Sequence, residues 1–419
     1  MSVVVEGKDG WFLDACALID RGYERCLTRN ANLQSNLKGC FKRQCFHVLK
    51  CHGAVKTCSD AVQERIKIER PPKKRKRKHG ELNQGEIDSH AFHEKVRCAI
   101  LEGTKSLVES ARLLGYLEGG PDATEDLLPG QECNLASLCD MAKELAGVDD
   151  EDQQDHAQLL VAEDGCTSHL DLFSRVTENT SNWAAVVPLM GEEYVIPPRT
   201  AFLLSDFSRM QPLLRYGRKF DVIVMDPPWE NKSVKRSRRY RCLPSSQLKR
   251  LPVPCLASPN CLVVTWVTNR ARHLRFVRDE LYPHWGVEVV AEWFWVKVTT
   301  QGQFVFPLDS PHKKPYEVLV LGRYCRSQTS SASESFSPPV QDQRLIVSVP
   351  SALHSHKPSL SEVLKPYIAT EAMCLELFAR SLQPGWISWG NEVLRFQHTS
   401  YFTWTPADEP IQSTNLLHH

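Results

Sequence analysis

The chain has 419 residues, 42% of them hydrophobic, which is enough for two or three packed domains. Its 51 Lys and Arg oppose 50 Asp and Glu for a net charge of +1, so any hold on a polyanion must come from local basic patches and not from a global field. No apolar run is long enough to cross a bilayer, Met1–Asp9 is too interrupted by charge to read as a secretory signal, and the 15 irregularly spaced cysteines are expected as free thiols in a reducing compartment.

Residues 1–68 read as a Cys-rich N-terminal region. Within it Cys40, Cys45, His47, Cys51, His52 and Cys58 lack the close pairing of zinc ligands, so buried thiols in a small helical unit are expected and no metal. Residues 69–90 form a linker: Pro71 and Pro72 stop regular structure, and the six bases Lys73–Lys78 repel one another. Such a tract has the pattern of a nuclear import signal, which predicts a nuclear protein, with the cytosol as a second location. In 91–194, the apolar stripe Val96, Ile100, Leu107, Leu113, Leu114 and Leu117 predicts a helix broken by Gly119-Gly120-Pro121. Leu135, Leu138, Met141 and Leu145 suggest another, followed by a short acidic stretch, Asp149–Asp152.

From residue 195 to 400 the texture changes. Apolar and β-branched runs recur at Ala201–Leu204, Val222–Met225, Leu262–Val267, Val289–Val298, Val318–Leu321, Leu345–Val349 and Trp386–Trp389, with helical stretches at Arg270–Leu281 and Leu360–Ile368. Strands alternating with helices predict an α/β domain: a largely parallel sheet with helices on both faces. The Ser-rich 327–343 reads as a mobile insertion and 401–419 as a C-terminal tail.

Asp226-Pro227-Pro228-Trp229 follows the run Phe220–Met225, at the end of a strand where open α/β sheets bind ligands. Proline holds Asp226 extended, and neither proline has an N–H, so the turn offers a carboxylate and carbonyls without competing donors. One carboxylate plus one carbonyl can accept both hydrogens of an exocyclic amine. On adenine that hold favours a pyramidal nitrogen whose lone pair faces an electrophile such as a sulfonium methyl. Trp229 is placed to stack on the base or to wall the pocket.

These residues resemble the catalytic motif of the eukaryotic adenine-N(6) methyltransferases, the family of the mRNA adenosine methyltransferase catalytic subunit. Further motifs match in order: Trp266–Arg270, Trp295-Val296-Lys297, Lys313–Glu317, His356-Lys357-Pro358, Leu375–Arg380, Gly385-Trp386-Ile387 and Gly390-Asn391-Glu392. The resemblance spans about residues 195–398. It implies a Rossmann-like, S-adenosylmethionine-dependent methyltransferase domain behind a mostly helical N-terminal region, in agreement with the lack of a Gly-x-Gly-x-x-Gly loop. It also implies roles. Asp206 and Phe207 would flank the donor's adenine, Asp226 its amino acid moiety as well as the target amine, and Lys357 its carboxylate. Glu376, Phe378 and Arg380 would line the ribose side, with Asn391 and Glu392 closing the pocket. The stretch from Arg380 to Trp386 is shorter than in the mRNA enzyme, and no ribose ligand is assigned there.

The substrate side is basic. Lys232, Lys235, Arg236, Arg238, Arg239 and Arg241, with Tyr240 among them, adjoin the motif and suit a phosphate backbone. Asn269 and Arg270, at a strand end, are placed to reach substrate, while Arg272, Arg275 and Arg278 read as an exposed helix face. The resemblance implies adenosine in RNA (mRNA, or 2′-O-methylated adenosine in a U2-like small nuclear RNA) with DNA as the rival, acted on by a monomer. A catalytically silent RNA-binding partner subunit is the reading from another class, and the intact Asp226 and Trp229 argue against it.

Overall fold

A computed structural model describes residues 2–30, 33–48, 84–117, 157–160, 170–189, 191–230, 243–310, 313–325 and 338–407. The basic tract 73–78, the second N-terminal helix, the acidic stretch and the run Lys232–Arg241 lie outside these residues.

Described strands, in chain order, are β1 (Val3–Gly7), β2 (Gly10–Leu13), β3 (Cys26–Asn30), β4 (Leu33–Phe41), β5 (Ala157–Leu159), β6 (Val176–Asn179), β7 (Ala184–Leu189), β8 (Glu192–Ile196), β9 (Thr200–Leu203), β10 (Phe220–Met225), β11 (Ala257–Val267), β12 (Val287–Lys297), β13 (Tyr316–Tyr324), β14 (Leu345–Ser348), β15 (Cys374–Leu377), β16 (Trp386–Trp389) and β17 (Phe402–Pro406). Twelve of them form one sheet in the order β1-β2-β14-β12-β13-β11-β10-β15-β16-β9-β6-β5. At its centre β9, β16, β15, β10 and β11 all run parallel. The reason is visible in β10. Its residues are buried on both sides, Ile223 and Met225 in one core cluster and Val222 and Val224 in the other, the two-residue alternation of a strand covered on both faces.

Helices supply the cover. On one face lie α2 (Gln84–Leu113) and the helical segment Ala271–Arg275, which continues through Phe276–Leu281 and Tyr282–Trp285. On the other lie α1 (Ala15–Asp20), capped by Asp14, and the short turn Ser361–Leu364. In α2, His93, Val96, Ile100, Thr104, Leu107, Val108 and Ala111 are buried at helical spacing. Leu113 and Leu114, expected on that stripe, are 89% and 66% exposed. Leu113 stands two residues past Ala111, about 200° around the helix, so it cannot share the buried face.

The helical content expected of the N-terminal region is concentrated in α2. Residues 2–48, expected to form a unit of their own, are mainly strand and divide between two sheets. β2 joins β14 in the large sheet, and Gly10 is required there: with φ +147°, any Cβ would meet the Leu345 carbonyl at 1.9 Å. β3 and β4 enter a five-stranded sheet ordered β17-β4-β3-β7-β8. Phe402–Pro406, expected within a tail, is its edge strand. Cys45 sits among Phe41, Tyr23 and Phe402, and every described cysteine is a free thiol. Among the described residues no cluster of His, Cys, Asp and Glu could hold a metal, and Cys51, His52 and Cys58 lie outside them. The end of the Ser-rich insertion is anchored: Trp293 Nε1 donates to the Gln341 carbonyl (2.7 Å) and the Glu292 N–H to Asp342 Oδ1 (2.7 Å).

Candidate active site

Parallel pairing brings the carboxyl ends of β9, β16, β15, β10, β11 and β12 to one edge of the large sheet. Antiparallel β13 delivers its first residues, Tyr316 and Glu317, to the same edge. Asp226 sits at the middle of it, directly after β10.

Charges alternate along this edge. Lys297 donates to Glu317. Glu317 Oε2 lies 3.0 Å from Lys357 Nζ, and the same ammonium lies 3.2 Å from Asp226 Oδ2. Arg380 Nη1 donates to that oxygen at 2.7 Å, while its Nε donates to Glu392 Oε2 at 3.1 Å. Arg395 reaches the other Glu392 oxygen at 3.0 Å. The side chains of Asp226, Lys357 and Arg380 are only 12%, 18% and 11% exposed, so these contacts act with little screening. Burial by itself would raise the Glu317 carboxyl, but Lys297 and Lys357 outweigh it and hold it down to about 2. Burial opposes the charge on Lys357, yet Asp226 and Glu317 raise its ammonium above the usual lysine value. Asp226 and Glu392 do the same for Arg380.

A cavity of about 550 Å³ opens beneath the edge, between the face of β15 and β16, α1 and the turn Ser361–Leu364. Asp226, Lys357, Glu376, Phe378 and Arg380 all line it. Phe378 takes a left-handed backbone (φ +60°), a conformation costing about 1–3 kcal/mol outside glycine, and its ring packs edge-on to Trp389 at 5.5 Å. Gly390 lets the β16 tip approach closely, since a Cβ there would meet the Ala379 backbone at 3.0–3.1 Å.

Residues 220–392 match the MT-A70 family. The chain is 54% identical over 329 residues to the mouse (Mus musculus) N(6)-adenine-specific methyltransferase METTL4, spanning 77% of this chain and 69% of that protein. The chain belongs to the MT-A70 family. It is 36% identical over 231 residues to the N6-methyladenosine RNA methyltransferase MTA1 of Pyricularia oryzae, covering 53% of this chain and 59% of the relative. It is also 36% identical over 215 residues to the DNA N6-methyl methyltransferase of Caenorhabditis elegans, covering 51% and 56%. The chain is an S-adenosylmethionine-dependent methyltransferase, and its MT-A70 region carries the α/β sheet expected from its motifs.

The residues present fit that donor. An ammonium at Lys357 and a guanidinium at Arg380 suit a carboxylate and hydroxyls, and the carboxyl of Glu376 suits hydroxyl donors, all on a cavity within the usual size of cofactor pockets. Other expected residues stand differently. Asp206 turns into its own loop, accepting from the Ser208 N–H (3.1 Å) and hydroxyl (2.9 Å), and Phe207 packs against the core. Glu392 reaches the site through Arg380, and Asn391 follows Gly390, whose N–H donates to the Leu203 carbonyl at 3.3 Å. None of these four lines the cavity.

The MT-A70 motif itself needs correction in three places. Trp229 is 5% exposed, its Nε1 donates to the Trp266 carbonyl (2.8 Å) and its ring stacks on His273 at 4.9 Å, so it braces the turn from within the core and has no face for a base. The Pro227 carbonyl already accepts from the Trp229 N–H (2.8 Å) and that of Pro228 from Leu243 (2.9 Å), leaving each one further lone pair. Asn269 donates to the Tyr316 carbonyl, tying β11 to β13, and half-buried Arg270 donates to the Glu230 carbonyl at 3.2 Å. Both are thereby tied to neighbouring backbone. Arg272, Arg275 and Arg278 are exposed but paired with Glu230, Asp88 and Glu292.

Sequence reasoning missed Glu317, Lys297 and Gln383 as members of the site. Lys297 and Glu317 stood in the quoted motifs, but only the antiparallel register of β12 and β13 brings them together. Gln383 Nε2 donates to Glu376 Oε2 at 2.7 Å. Burial raises Glu376 to about 7, and Asp226 adds to the rise against Gln383 and Arg380. Because that value exceeds the 4.5 of an unconstrained glutamate, the native state holds this proton more tightly than the unfolded state does. The contribution of Glu376 to stability is therefore most favourable below pH 4.5, declines between 4.5 and 7, and is level above 7. Glu376→Gln removes the decline, and urea unfolding at pH 8 is expected to show a gain of about 3 kcal/mol relative to wild type that vanishes near pH 4.5. Parallel stability curves for the two proteins would mean that Glu376 titrates normally.

Proposed function

We propose that the protein methylates the N6 amine of adenine in nucleic acid, with RNA as its substrate and a 2′-O-methyladenosine of a U2-like small nuclear RNA as the specific target. The observation that carries this reading is the Asp226 carboxylate, held at the β10 tip between Lys357 and Arg380 on the wall of the cavity. Bound in this cavity, S-adenosylmethionine would supply an electrophilic methyl group to the adenine nitrogen, its sulfur leaving in line as the neutral thioether. Asp226, aimed by its two cations, accepts one amine N–H, and the free lone pair of the Pro227 carbonyl accepts the other. Trp229 holds the turn rigid from the core, so that positioning supplies much of the rate, up to roughly 7–11 kcal/mol of barrier. The extra proton of the methylated amine leaves to solvent.

The RNA reading is supported by the fungal relative named an RNA methyltransferase, while the nematode relative named for DNA supports the rival. The basic tract Lys73–Lys78 supports a nuclear location. Incubation with labelled donor and matched RNA and DNA oligonucleotides, followed by mass spectrometry of the nucleosides, separates the substrates. N6-methylated adenosine from RNA is the expected product, with more of it when the target carries a 2′-O-methyl group. Label confined to deoxyadenosine would transfer the assignment to DNA, and label in neither would favour a silent partner subunit.

A further inference from the structure

A second groove lies on the other side of α1, between that helix and the end of β4, with a volume of about 860 Å³. Arg21 and Phe41 line both this groove and the active-site cavity, so the two adjoin. Arg21, Lys38, Lys42 and Arg43 border it, against the acids Asp20 and Glu24. Of the two acids, Glu24 is exposed and Asp20 half-buried. Asp20 faces inward, where its Oδ1 accepts from the Phe41 N–H at 2.7 Å. Asp14, behind it, is 8% exposed and caps α1 through the Ala17 N–H at 2.9 Å. Among the bases, Arg21 (53% exposed) lies 2.9 Å from Glu362 and Arg43 (68% exposed) lies 3.3 Å from Asp14, which leaves exposed Lys38 and half-buried Lys42 without a carboxylate partner among the described residues. The groove thus carries four bases against two lining acids, and its uncommitted positive charge is that of Lys38 and Lys42, beside a cavity whose own charges are largely matched against one another.

We propose that this groove binds the phosphate backbone of the substrate strand beside the target adenosine, with Lys38 and Lys42 as phosphate contacts. The inference rests on the nucleic-acid reading above. Phosphate contacts set register without reading sequence, which is what a groove with two uncommitted lysines next to a base-specific pocket offers. A peptide partner would call for an apolar anchor pocket at the groove's centre, whereas the residues other than polar ones there are Ala17, Cys40 and the buried Phe41.

The test uses the full chain with Lys38→Glu and Lys42→Glu together. Binding of a labelled single-stranded oligoribonucleotide is titrated at several salt concentrations, alongside calorimetric binding of S-adenosylmethionine and thermal melting. Each lost phosphate contact on a single strand removes about 0.7 from the slope of log affinity against log salt, so the slope is expected to shrink by about 1.4 and the affinity to fall about tenfold. Donor affinity and melting temperature should stay at wild-type values. An unchanged slope overturns the proposal, as does a polyglutamate peptide that competes as well as RNA of equal charge. Should the charge reversals lower the melting temperature, Lys38→Gln with Lys42→Gln is read by the same slope. A wild-type protein that binds donor but no nucleic acid would instead overturn the functional reading, a result distinct from a variant that merely keeps the wild-type slope.

Discussion

Replacing Asp226 by Asn is expected to lower the methyl-transfer rate by about 10- to 150-fold, the worth of one hydrogen bond to a charged acceptor. Asn keeps the shape of the side chain but replaces one acceptor oxygen by a donor, so the amine loses its anionic anchor. Loss of geometry deepens the effect, because Arg380 and Lys357 both hold Asp226 Oδ2 and would be free to turn away. Single-turnover rates with saturating donor measure the chemistry apart from binding. A near-wild-type rate would remove Asp226 from the reaction. From sequence, Asp226→Ala is expected to leave the fold intact. The structure revises that expectation: the alanine variant strips a shared anion from two mostly buried cations. Lys357 keeps Glu317 and Arg380 keeps Glu392, so the cost stays below that of a fully orphaned charge, at about 1–3 kcal/mol.

Arg380→Met is the second substitution with a large expected effect, and it acts on stability and donor binding together. Removing one partner of a buried ion pair commonly costs 3–5 kcal/mol. Here Asp226 retains Lys357 and Glu392 retains Arg395, so urea unfolding should show a loss near the lower end, about 3 kcal/mol. Arg380 also lines the cavity, and on the function proposed above its loss should weaken S-adenosylmethionine binding by at least about tenfold. Calorimetry at a temperature where the variant is fully folded separates the two effects. Wild-type donor affinity together with reduced stability would make Arg380 a structural strut only.

Much of the central sheet was legible because its strands are continuous β-branched and aromatic runs. β10 and β11 stand out in this way, and buried parallel strands need no polar alternation. β15 escaped notice as a strand because it has four residues and Glu376 interrupts its apolar run. The N-terminal strands escaped for another reason: β1 and β2 are short, and docking against β14 and α2 stabilises them. Trp229 and Asn269 were misjudged because a side chain at a strand tip can point toward solvent, ligand or core. Local sequence does not distinguish among these, whereas the Trp266 and Tyr316 carbonyls that receive them do.

The amino-acid sequence by itself determined the parallel α/β sheet, the place of Asp226 at the end of a strand and, through its ordered motifs, the methyltransferase family. These follow from short-range properties: side-chain periodicity, the stiffness of proline and the chemistry of single residues. Only the tertiary structure decided which charges meet. Asp226 and Arg380 are separated by 154 positions, yet parallel pairing of β10 and β15 brings their side chains to 2.7 Å. Ion pairing depends on distance and burial through space, and neither is encoded in the neighbourhood of either residue along the chain.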